Sequence, residues 1–236
     1  MTSDFYSRTE ALLGEDAILK LKNSRVAVFG AGGVGSAAIE ALSRCGVGSI
    51  DIFDHDTISE SNLNRQLMTT SENIGRKKAE EVAKRAKLIN PEVKVLAHEL
   101  FYLPDTADEV DLSVYDYIID AVDTLTAKLL LVERAKEVSV PIISSMGTGN
   151  KLDITRLRVS DIKKTETCPL ARNMRKELKA RGISELLCVW SDEKPMSAAA
   201  TGELKGNRPA PASAVFVPAA AGLLMAKEVV VYITNK

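Results

Sequence analysis

The glycines between positions 30 and 35 are the part of this sequence whose types and spacing point most directly to chemistry. They read Gly30-Ala31-Gly32-Gly33-Val34-Gly35 and satisfy the pattern G-x-G-x-x-G. In such loops the first glycine makes a tight turn, the second lets the backbone approach a phosphate, and the third lets a helix pack closely on a strand. The N-terminus of the helix that follows attracts the anion. The motif therefore predicts a nucleotide-binding loop.

Asp54 is the second candidate, and it stands at the end of the next predicted strand. A carboxylate about 20 residues beyond such a glycine loop can bind the hydroxyls of a ribose. A nicotinamide dehydrogenase would show the same two features. One hypothesis is therefore an NAD-binding regulator or dehydrogenase that uses only the nucleotide-binding core, and measuring NAD binding against ATP–pyrophosphate exchange would test it.

Polar and basic residues just beyond Asp54 favour a triphosphate over a dinucleotide. The segment "SNLNRQ" contributes Asn62, Arg65 and Gln66, and Lys78 follows at the start of a predicted helix. The two phosphates of a dinucleotide need little beyond the helix dipole, whereas a triphosphate carries more charge and requires Arg, Lys and a metal ion. Single charged residues usually face solvent, so this interpretation depends on the set rather than on any one residue.

Asp123, in "IIDAVDTLTAK", follows a predicted buried strand and precedes a predicted helix. Aspartate at that position is most often an N-cap. The same position lies at the carboxyl edge of a parallel sheet, where ligands bind in such folds. A Mg²⁺ site there would suit a triphosphate, and both interpretations stay open from the sequence.

Strands alternate with helices through the first 150 residues. The strands are predicted over about 25–30, 49–54, 93–99, 115–123 and 140–145, and the helices over about 9–22, 33–45, 75–89 and 124–138. This alternation predicts an α/β fold with a Rossmann-like, doubly wound and mostly parallel sheet.

The pattern changes after residue 150. The sequence predicts an exposed strand over 154–162, a basic helix over 168–182, a strand over 184–191, and a last strand and helix within 213–233. Residues 192–212 are rich in Ala, Gly, Pro, Ser and charge, which predicts a mobile loop. We expect one domain over 1–236, with a nucleotide-binding half over 1–150 and a substrate-facing half over 151–236.

Positive charge is concentrated in residues 156–181. This segment has nine Lys or Arg and three acids, a net charge of +6, so the rest of a chain whose total is −1 carries −7. Local positive charge is the usual footprint of a protein that binds a phosphate backbone, and a solvated helix face gives the same pattern. The residues predicted to bind RNA are Lys163, Lys164, Arg172, Arg175, Lys176 and Lys179.

Composition excludes several classes of protein. Three cysteines, Cys45, Cys168 and Cys188, are too few for a four-cysteine zinc site and fit a reducing, cytoplasmic location. The N-terminal residues are polar, so secretion is not expected. The most apolar stretch, 214–226, is short of the ~20 residues that span a bilayer, so we expect buried core and no membrane partner.

The glycine motif, the strand-terminal aspartate, "SNLNRQ", a following lysine and "AVDT" resemble, in that order, the ATP-adenylating fold of ubiquitin-activating-type (ThiF-type) enzymes. The resemblance covers about residues 5–150 and implies ATP and Mg²⁺ as cofactors. The implied contacts are Asp54 with the ribose, Asn62, Arg65 and Lys78 with the phosphates, and Asp123 with Mg²⁺.

Arg8, in "FYSRTEALLG", is similar to the N-terminal arginine of these enzymes. In dimeric relatives that arginine reaches the ATP of the neighbouring subunit, so the resemblance implies a homodimer. Arg8, Arg65, Lys78 and Asp123 are the implied catalytic set.

Residues 147–183, "GTGNKLDITRLRVSDIKKTETCPLARNMRKELKARGI", closely resemble the bacterial tRNA threonylcarbamoyladenosine dehydratases, a subfamily of these enzymes. The implied reaction adenylates the threonyl carboxylate of N6-threonylcarbamoyladenosine in tRNA, and the modification then cyclises. The resemblance also raises the expectation of a monovalent cation near 145–155 and of a sulfur-acceptor protein linked to a cysteine desulfurase. The alternative is an adenylyltransferase for the C-terminal carboxylate of a ubiquitin-like sulfur carrier, most of which carry a four-cysteine zinc site.

Cys168 invites a thioester hypothesis, because some relatives pass the acyl group to a cysteine. A thiol before Pro169 at a helix start could have a lowered pKa. His55 and His98, the two histidines, are far away in sequence, and intramolecular cyclisation needs no protein nucleophile. We therefore expect an ordinary buried thiol.

Overall fold

The molecule is built on a seven-stranded sheet whose strand order is β3-β2-β1-β4-β5-β7-β6. The structure is a computed structural model that describes residues 4–197, 202, 204–205 and 208–235. The strands are β1 (Arg25–Phe29), β2 (Ser49–Phe53), β3 (Lys94–His98), β4 (Tyr117–Asp120), β5 (Ile142–Ser145), β6 (Leu157–Asp161) and β7 (Leu187–Ser191). All neighbouring strands are parallel except β6, which runs antiparallel to β7 at the edge. The predicted fold class is confirmed.

Helices cover both faces of this sheet. They are α1 (Ser7–Leu13), α2 (Glu15–Lys22), α3 (Gly35–Cys45), α4 (Lys78–Ile89), α5 (Leu125–Glu137), α6 (Pro169–Ala180) and α7 (Phe216–Asn235). Because side chains alternate along a strand, Val26 and Val28 of β1 belong to the core beneath α2, α3, α4 and α7. Ala27 and Phe29 belong to the second core, beneath α5 and α6.

The strand order reverses between β1 and β4, and this reversal positions the site. In register, Phe29 of β1 lies opposite Phe53 of β2 and Asp120 of β4. Gly30, Asp54 and the loop after Asp120 therefore leave the sheet side by side. In open α/β sheets the crevice at such a reversal is where ligands bind.

Two predicted elements differ from the structure. The helix predicted over 9–22 is two helices, because Gly14 breaks it with a φ of +92°. The last strand predicted within 213–233 is absent from the described residues, where one helix, α7, takes up that segment. In the predicted mobile loop, Leu204–Lys205 (β8) pairs with Arg208–Pro209 (β9), and residues 198–201, 203 and 206–207 lie outside the described residues.

The length predicted for the apolar segment was also too short. Helix α7 has 20 residues, because Pro218 lies in its first turn, where proline is tolerated, and the helix continues past Lys227. By length and composition alone α7 could cross a membrane, and half of its apolar window is buried in the protein. It packs closely on α3, since a Cβ on Gly222 would lie 2.2 Å from the Val34 carbonyl oxygen.

Candidate active site

The glycine loop leaves one side open for a ligand. Gly30 has a φ of +91°, and a Cβ there would lie 2.8 Å from the Ala121 carbonyl oxygen. A Cβ on Gly35 would lie 1.8 Å from the Gly30 carbonyl oxygen. The packing of protein on protein therefore requires these two glycines. A Cβ on Gly32 would meet only Gln66 Nε2, at 3.8 Å. The protein leaves that space unfilled, as expected where a phosphate approaches the backbone.

The Asp54 carboxylate ties the second strand to this loop. It is buried, and it accepts hydrogen bonds from the Ala31 amide at 2.6 Å and the Asp56 amide at 2.9 Å. Burial raises the pKa of Asp54, while the Ala31 amide and the Lys78 ammonium act in the opposite direction. Each carboxylate oxygen has two lone pairs, so both can still accept a ribose hydroxyl.

The "SNLNRQ" segment lies against the glycine loop. A Cβ on Gly33 would be 3.2 Å from the Arg65 carbonyl oxygen, and the Arg65 guanidinium donates to the Ser61 carbonyl at 2.7 Å. Asn62 is buried, and its Oδ1 accepts from the Ser59 amide. Its Nδ2 can only donate, which suits a phosphate oxygen.

Gln66 has the least satisfied polar group of this segment. Only 5% of the residue is exposed, and its Oε1 has no hydrogen-bond partner among the residues the structure describes. Buried polar atoms are nearly always paired. The Gln66 atom that faces the glycine loop is Nε2, which can donate to a phosphate oxygen. The unpaired Oε1 can accept a hydrogen bond from a donor group of a ligand.

Lys78, the first residue of α4, directs its ammonium toward Asp54 and Asp56, at the end of β2. Its side chain is 8% exposed, and Nζ lies 2.7 Å from Asp56 Oδ2. The ligand-type atoms of Asp54, His55 and Asp56 lie within 4.8 Å of one another, but a cation on Asp56 would compete with the ammonium of Lys78. The structure thus places the buried ammonium of Lys78 near the Asp54 carboxylate.

Asp123 is exposed on the loop between β4 and α5. Thr124, not Asp123, is the N-cap residue of α5. The loop is fixed against the glycine loop by the Ala121 amide, which donates to the Phe29 carbonyl at 2.8 Å. Asp123 therefore stands at the sheet reversal, on the side where Gly30 and Asp54 emerge.

Sequence reasoning missed a fully buried charged cluster under this loop. Lys128, Asp120 and Ser144 are each 0% exposed. Lys128 Nζ donates to Asp120 Oδ2 at 2.9 Å and to Ser144 Oγ at 3.1 Å, and Ser144 Oγ donates to the same carboxylate oxygen. The one available signal was a lysine inside the apolar run "AKLLLV".

The basic helix α6 begins near the same edge of the sheet. Its N-cap residue, Cys168, places Sγ 3.5 Å from the position of a Cβ on Gly147, in the loop after β5. Met174 and Leu178 face the core. Arg172, Lys176 and Lys179, spaced i, i+4 and i+7, form an exposed stripe on the remaining face. We call these three residues the basic stripe.

The other predicted RNA-binding residues are placed differently. Lys164 is exposed, and exposed Lys163 pairs with Glu185 at 3.3 Å. Arg175 is half-buried, and its guanidinium donates to the carbonyl and the hydroxyl of Thr165. Arg175 therefore holds the turn before α6 together.

Cys168 has a basic neighbour that the sequence did not reveal. Cys168 is 3% exposed and Lys151 5% exposed. Burial lowers the pKa of Lys151, while nearby Cys168, Glu193 and Asp192 favour its charged form. Lys151 Nζ lies 3.2 Å from the Ser191 carbonyl oxygen. The fold thus brings an amine from the loop after β5 to the thiol at the start of α6.

Residues 211–213 bridge the two halves across the site. Asn64 Nδ2 donates to the Ser213 carbonyl at 2.8 Å, and the Asn150 amide donates to the Ala212 carbonyl at 2.7 Å. A Cβ on Gly149 would lie 2.8 Å from Pro211 Cβ. The loop that carries Asn64 and the loop after β5 are therefore held together by this short segment.

Arg8 lies outside this constellation. It is exposed on α1, a helix with no buried residue. Leu12 and Leu13 of the same helix are 82% and 38% exposed, and Leu19 of α2 is 60% exposed. The arginine is thus carried on an apolar, uncovered part of the surface.

Comparison with known proteins gives consistent matches. Residues 6–236 match the profile of the ThiF family. A Bacillus subtilis protein named tRNA threonylcarbamoyladenosine dehydratase is 39% identical over 235 residues, 95% of this chain and 92% of that protein. Crystal structures of Escherichia coli tRNA N6-threonylcarbamoyladenosine dehydratase with AMP and with ATP superpose with TM-scores of 0.90 and 0.87. Both are 31% identical and cover 100% of this chain and 97% of theirs.

Proposed function

The chain belongs to the ThiF family, and we propose that it uses ATP to adenylate the threonyl carboxylate of N6-threonylcarbamoyladenosine in tRNA, so that the modification cyclises with loss of water. The observation that carries this proposal is the meeting, at one edge of the sheet, of a triphosphate-type site and a helix with an exposed basic stripe. The B. subtilis and E. coli relatives named for this reaction match nearly the whole chain.

The first step makes a carboxylate reactive. A carboxylate is a poor electrophile, because its negative charge repels nucleophiles and oxide cannot leave. One carboxylate oxygen attacks the α-phosphorus of ATP, the bond to the β,γ-diphosphate breaks, and pyrophosphate departs with the electron pair. The product is an acyl adenylate. The protein must hold the triphosphate in line and offset the charge of the departing pyrophosphate.

The second step needs no protein nucleophile. A nitrogen or oxygen of the same substituent attacks the activated carbonyl carbon, a five-membered ring closes, and AMP leaves with the carboxylate oxygen. One proton is released, and the net change in the nucleoside is the loss of one water. Reacting groups held on one substituent have a large proximity advantage.

We assign the nucleotide to residues that converge on the glycine loop. The backbone of Gly30 to Gly35 and the N-terminus of α3 face the phosphates, Asp54 binds the ribose, and Asn62, Arg65, Gln66 and Lys78 surround the phosphates. Asp123 would hold Mg²⁺, because a carboxylate is a ligand this ion prefers and an exposed position leaves room for its waters. When bound, Mg²⁺ supplies charge neutralisation on the triphosphate.

Nucleoside analysis of tRNA tests the function directly. The purified protein is incubated with ATP and tRNA that carries N6-threonylcarbamoyladenosine, and the digested nucleosides are weighed by mass spectrometry. We expect a nucleoside lighter by one water, with AMP and pyrophosphate released. An unchanged nucleoside, with adenylate formed instead on a ubiquitin-like sulfur carrier, would establish the alternative; tight NAD binding without ATP binding would contradict both.

The active unit is proposed to be a homodimer in which Arg8 reaches the partner's ATP. The exposed leucines of α1 and α2 form an apolar surface around Arg8 that a second subunit would bury. Arg8→Ala and Asp123→Ala should each be inactive alone, and mixing with subunit exchange should restore about a quarter of wild-type turnover, because half of the dimers are mixed and each holds one complete site. Native mass spectrometry verifies the exchange, and mixed dimers without activity would contradict action across the interface.

Cys168 is expected to be dispensable despite its lysine neighbour. The thiol is buried, whereas the ring-closing group shares the substituent that carries the activated carboxylate. Cys168→Ser should therefore keep most of the turnover and give the same dehydrated nucleoside. A covalent protein–tRNA species that disappears in Cys168→Ser, together with loss of turnover, would show instead that the thiol carries the acyl group.

Three further expectations remain predictions: a cytoplasmic location, a bound monovalent cation and a sulfur-acceptor partner. A cytoplasmic location follows from a tRNA substrate. One observation favours the monovalent cation near 145–155: Asn150 Oδ1 is buried without a hydrogen-bond partner among the described residues. The ammonium of the adjacent Lys151 already supplies positive charge to this segment and would compete with such a cation. For a sulfur-acceptor partner, Cys168 and Cys188 are buried and Cys45 is half-buried, so such a partner would not act by exchange with an exposed thiol.

A further inference from the structure

The cluster of Lys128, Asp120 and Ser144 is a fully buried charged group near the site that the reaction does not use. It joins three elements, because Asp120 ends β4, Ser144 lies in β5 and Lys128 lies in the first half of α5. Each side chain is fully buried. None of the three can touch a ligand directly.

The cluster is connected to the loop that carries Asp123. Asp120 uses Oδ2 for Lys128 and Ser144, and its other oxygen, Oδ1, accepts from the Val122 amide at 3.3 Å. The residue next to that amide is Asp123. From the opposite side, Ala121 abuts the glycine loop, where its carbonyl oxygen leaves no room for a Cβ on Gly30. Residues 121–123 are thus held between the buried cluster and the nucleotide loop.

Stability alone does not account for this arrangement. Removing two charges from water is costly, and replacing a buried ion pair with apolar groups of similar volume is often neutral or stabilising. A directional network, however, holds a backbone segment at one distance and angle, and a metal-binding carboxylate needs such support from the residues behind it. The buried cluster is placed where that support would act.

We propose that Lys128, Asp120 and Ser144 form a positioning device that sets Asp123 relative to the glycine loop and thereby the affinity for the divalent ion of the nucleotide. This inference rests on the proposed function, in which Asp123 holds that ion. Lys128 acts through Asp120, and Asp120 acts through the backbone of residues 121–123.

The test measures metal binding rather than turnover. The double variant Asp120→Asn/Lys128→Met keeps the volume and removes both charges, so no uncompensated charge remains buried. Mn²⁺ is titrated by electron paramagnetic resonance in the presence of a non-hydrolysable ATP analogue, and a thermal melt checks the fold. We expect a folded protein whose half-saturating Mn²⁺ concentration is about tenfold higher, a change equivalent to about 1.4 kcal/mol. Ser144→Ala, which keeps the ion pair, should give a smaller rise.

Two matched variants separate the possible outcomes. Tyr115→Phe removes a buried hydrogen bond to Asp51, at 2.9 Å, in a different part of the sheet, and should leave the Mn²⁺ titration unchanged. Asp123→Ala should weaken Mn²⁺ binding more than the double variant does. Wild-type Mn²⁺ affinity in both cluster variants, with loss in Asp123→Ala, would overturn the positioning role alone. Wild-type affinity in Asp123→Ala would overturn the proposed metal ligand, and the inference with it.

Discussion

Asp123→Ala will lower ATP–pyrophosphate exchange by about a thousandfold, equivalent to about 4 kcal/mol of transition-state stabilisation. The carboxylate stands at the reversal of the strand order, where Gly30 and Asp54 also emerge. Its loss removes the proposed ligand of the ion that offsets charge on the triphosphate. The fold should persist, because the side chain is exposed and surface substitutions usually change stability by less than about 0.5 kcal/mol.

Three controls make that result specific. Asp123→Asn keeps the shape of the side chain but not its charge, and its rate of ATP–pyrophosphate exchange should be close to that of the alanine variant. Asp105→Ala removes another exposed aspartate, on the loop between β3 and β4, and should be indistinguishable from wild type. Circular dichroism and thermal melting check the fold of each. Near-normal exchange by Asp123→Ala at limiting Mg²⁺ would show that this carboxylate is not a metal ligand.

The fold and the glycine loop of the first 150 residues could be predicted because their signals are local. The glycine spacing, the alternation of strands with helices, and an aspartate at the end of a strand are each contained in a short segment, and parallel topology brings the strand ends together. Gly30 and Asp54 therefore lie where the sequence places them. Gln66 joins them because it follows Arg65 on the same short segment.

The groups missed by sequence reasoning are defined by distant partners. The apolar run "AKLLLV" is the one local sign that Lys128 is buried. That sign does not identify its partners, because Asp120 and Ser144 come from two other elements. Lys151 lies near Cys168 only because the fold brings the loop after β5 to the start of α6. Both positions depend on tertiary contacts that periodicity does not encode.

Charge counted along the chain also differs from charge in space. Three acids from outside the basic segment neutralise part of it: Asp192 pairs with Arg156 and Arg158, Glu185 with Lys163, and Glu133 with Arg181. What remains positive and exposed is Lys164 together with the basic stripe of α6. The predicted RNA surface is therefore narrower than the sequence suggested. Arg175 is not part of it, because its guanidinium binds Thr165 in the turn before α6.

Neutralising the basic stripe, with Arg172, Lys176 and Lys179 each changed to glutamine, will raise the KM for tRNA by about ten- to a hundredfold at physiological salt. Each lost phosphate contact should also flatten the log–log dependence of tRNA affinity on salt by about one unit. Glutamine preserves helix propensity, and the core face of α6 is untouched. The stripe starts at the edge of the sheet near the site and follows a helix about 18 Å long, a suitable length for a phosphate backbone.

The prediction separates a binding surface from ordinary solvated charge. A control variant that changes the exposed Lys87, Lys94 and Lys227 to glutamine loses the same three charges elsewhere on the molecule, so it corrects for net charge. The KM for ATP should be unchanged in both variants, because the glycine loop and Asp54 are intact. If the stripe and the control variant weaken tRNA binding equally, or if the salt slope of the stripe variant equals that of wild type, α6 carries no specific contact. A selective loss of slope in the stripe variant would instead show that the tRNA backbone contacts α6.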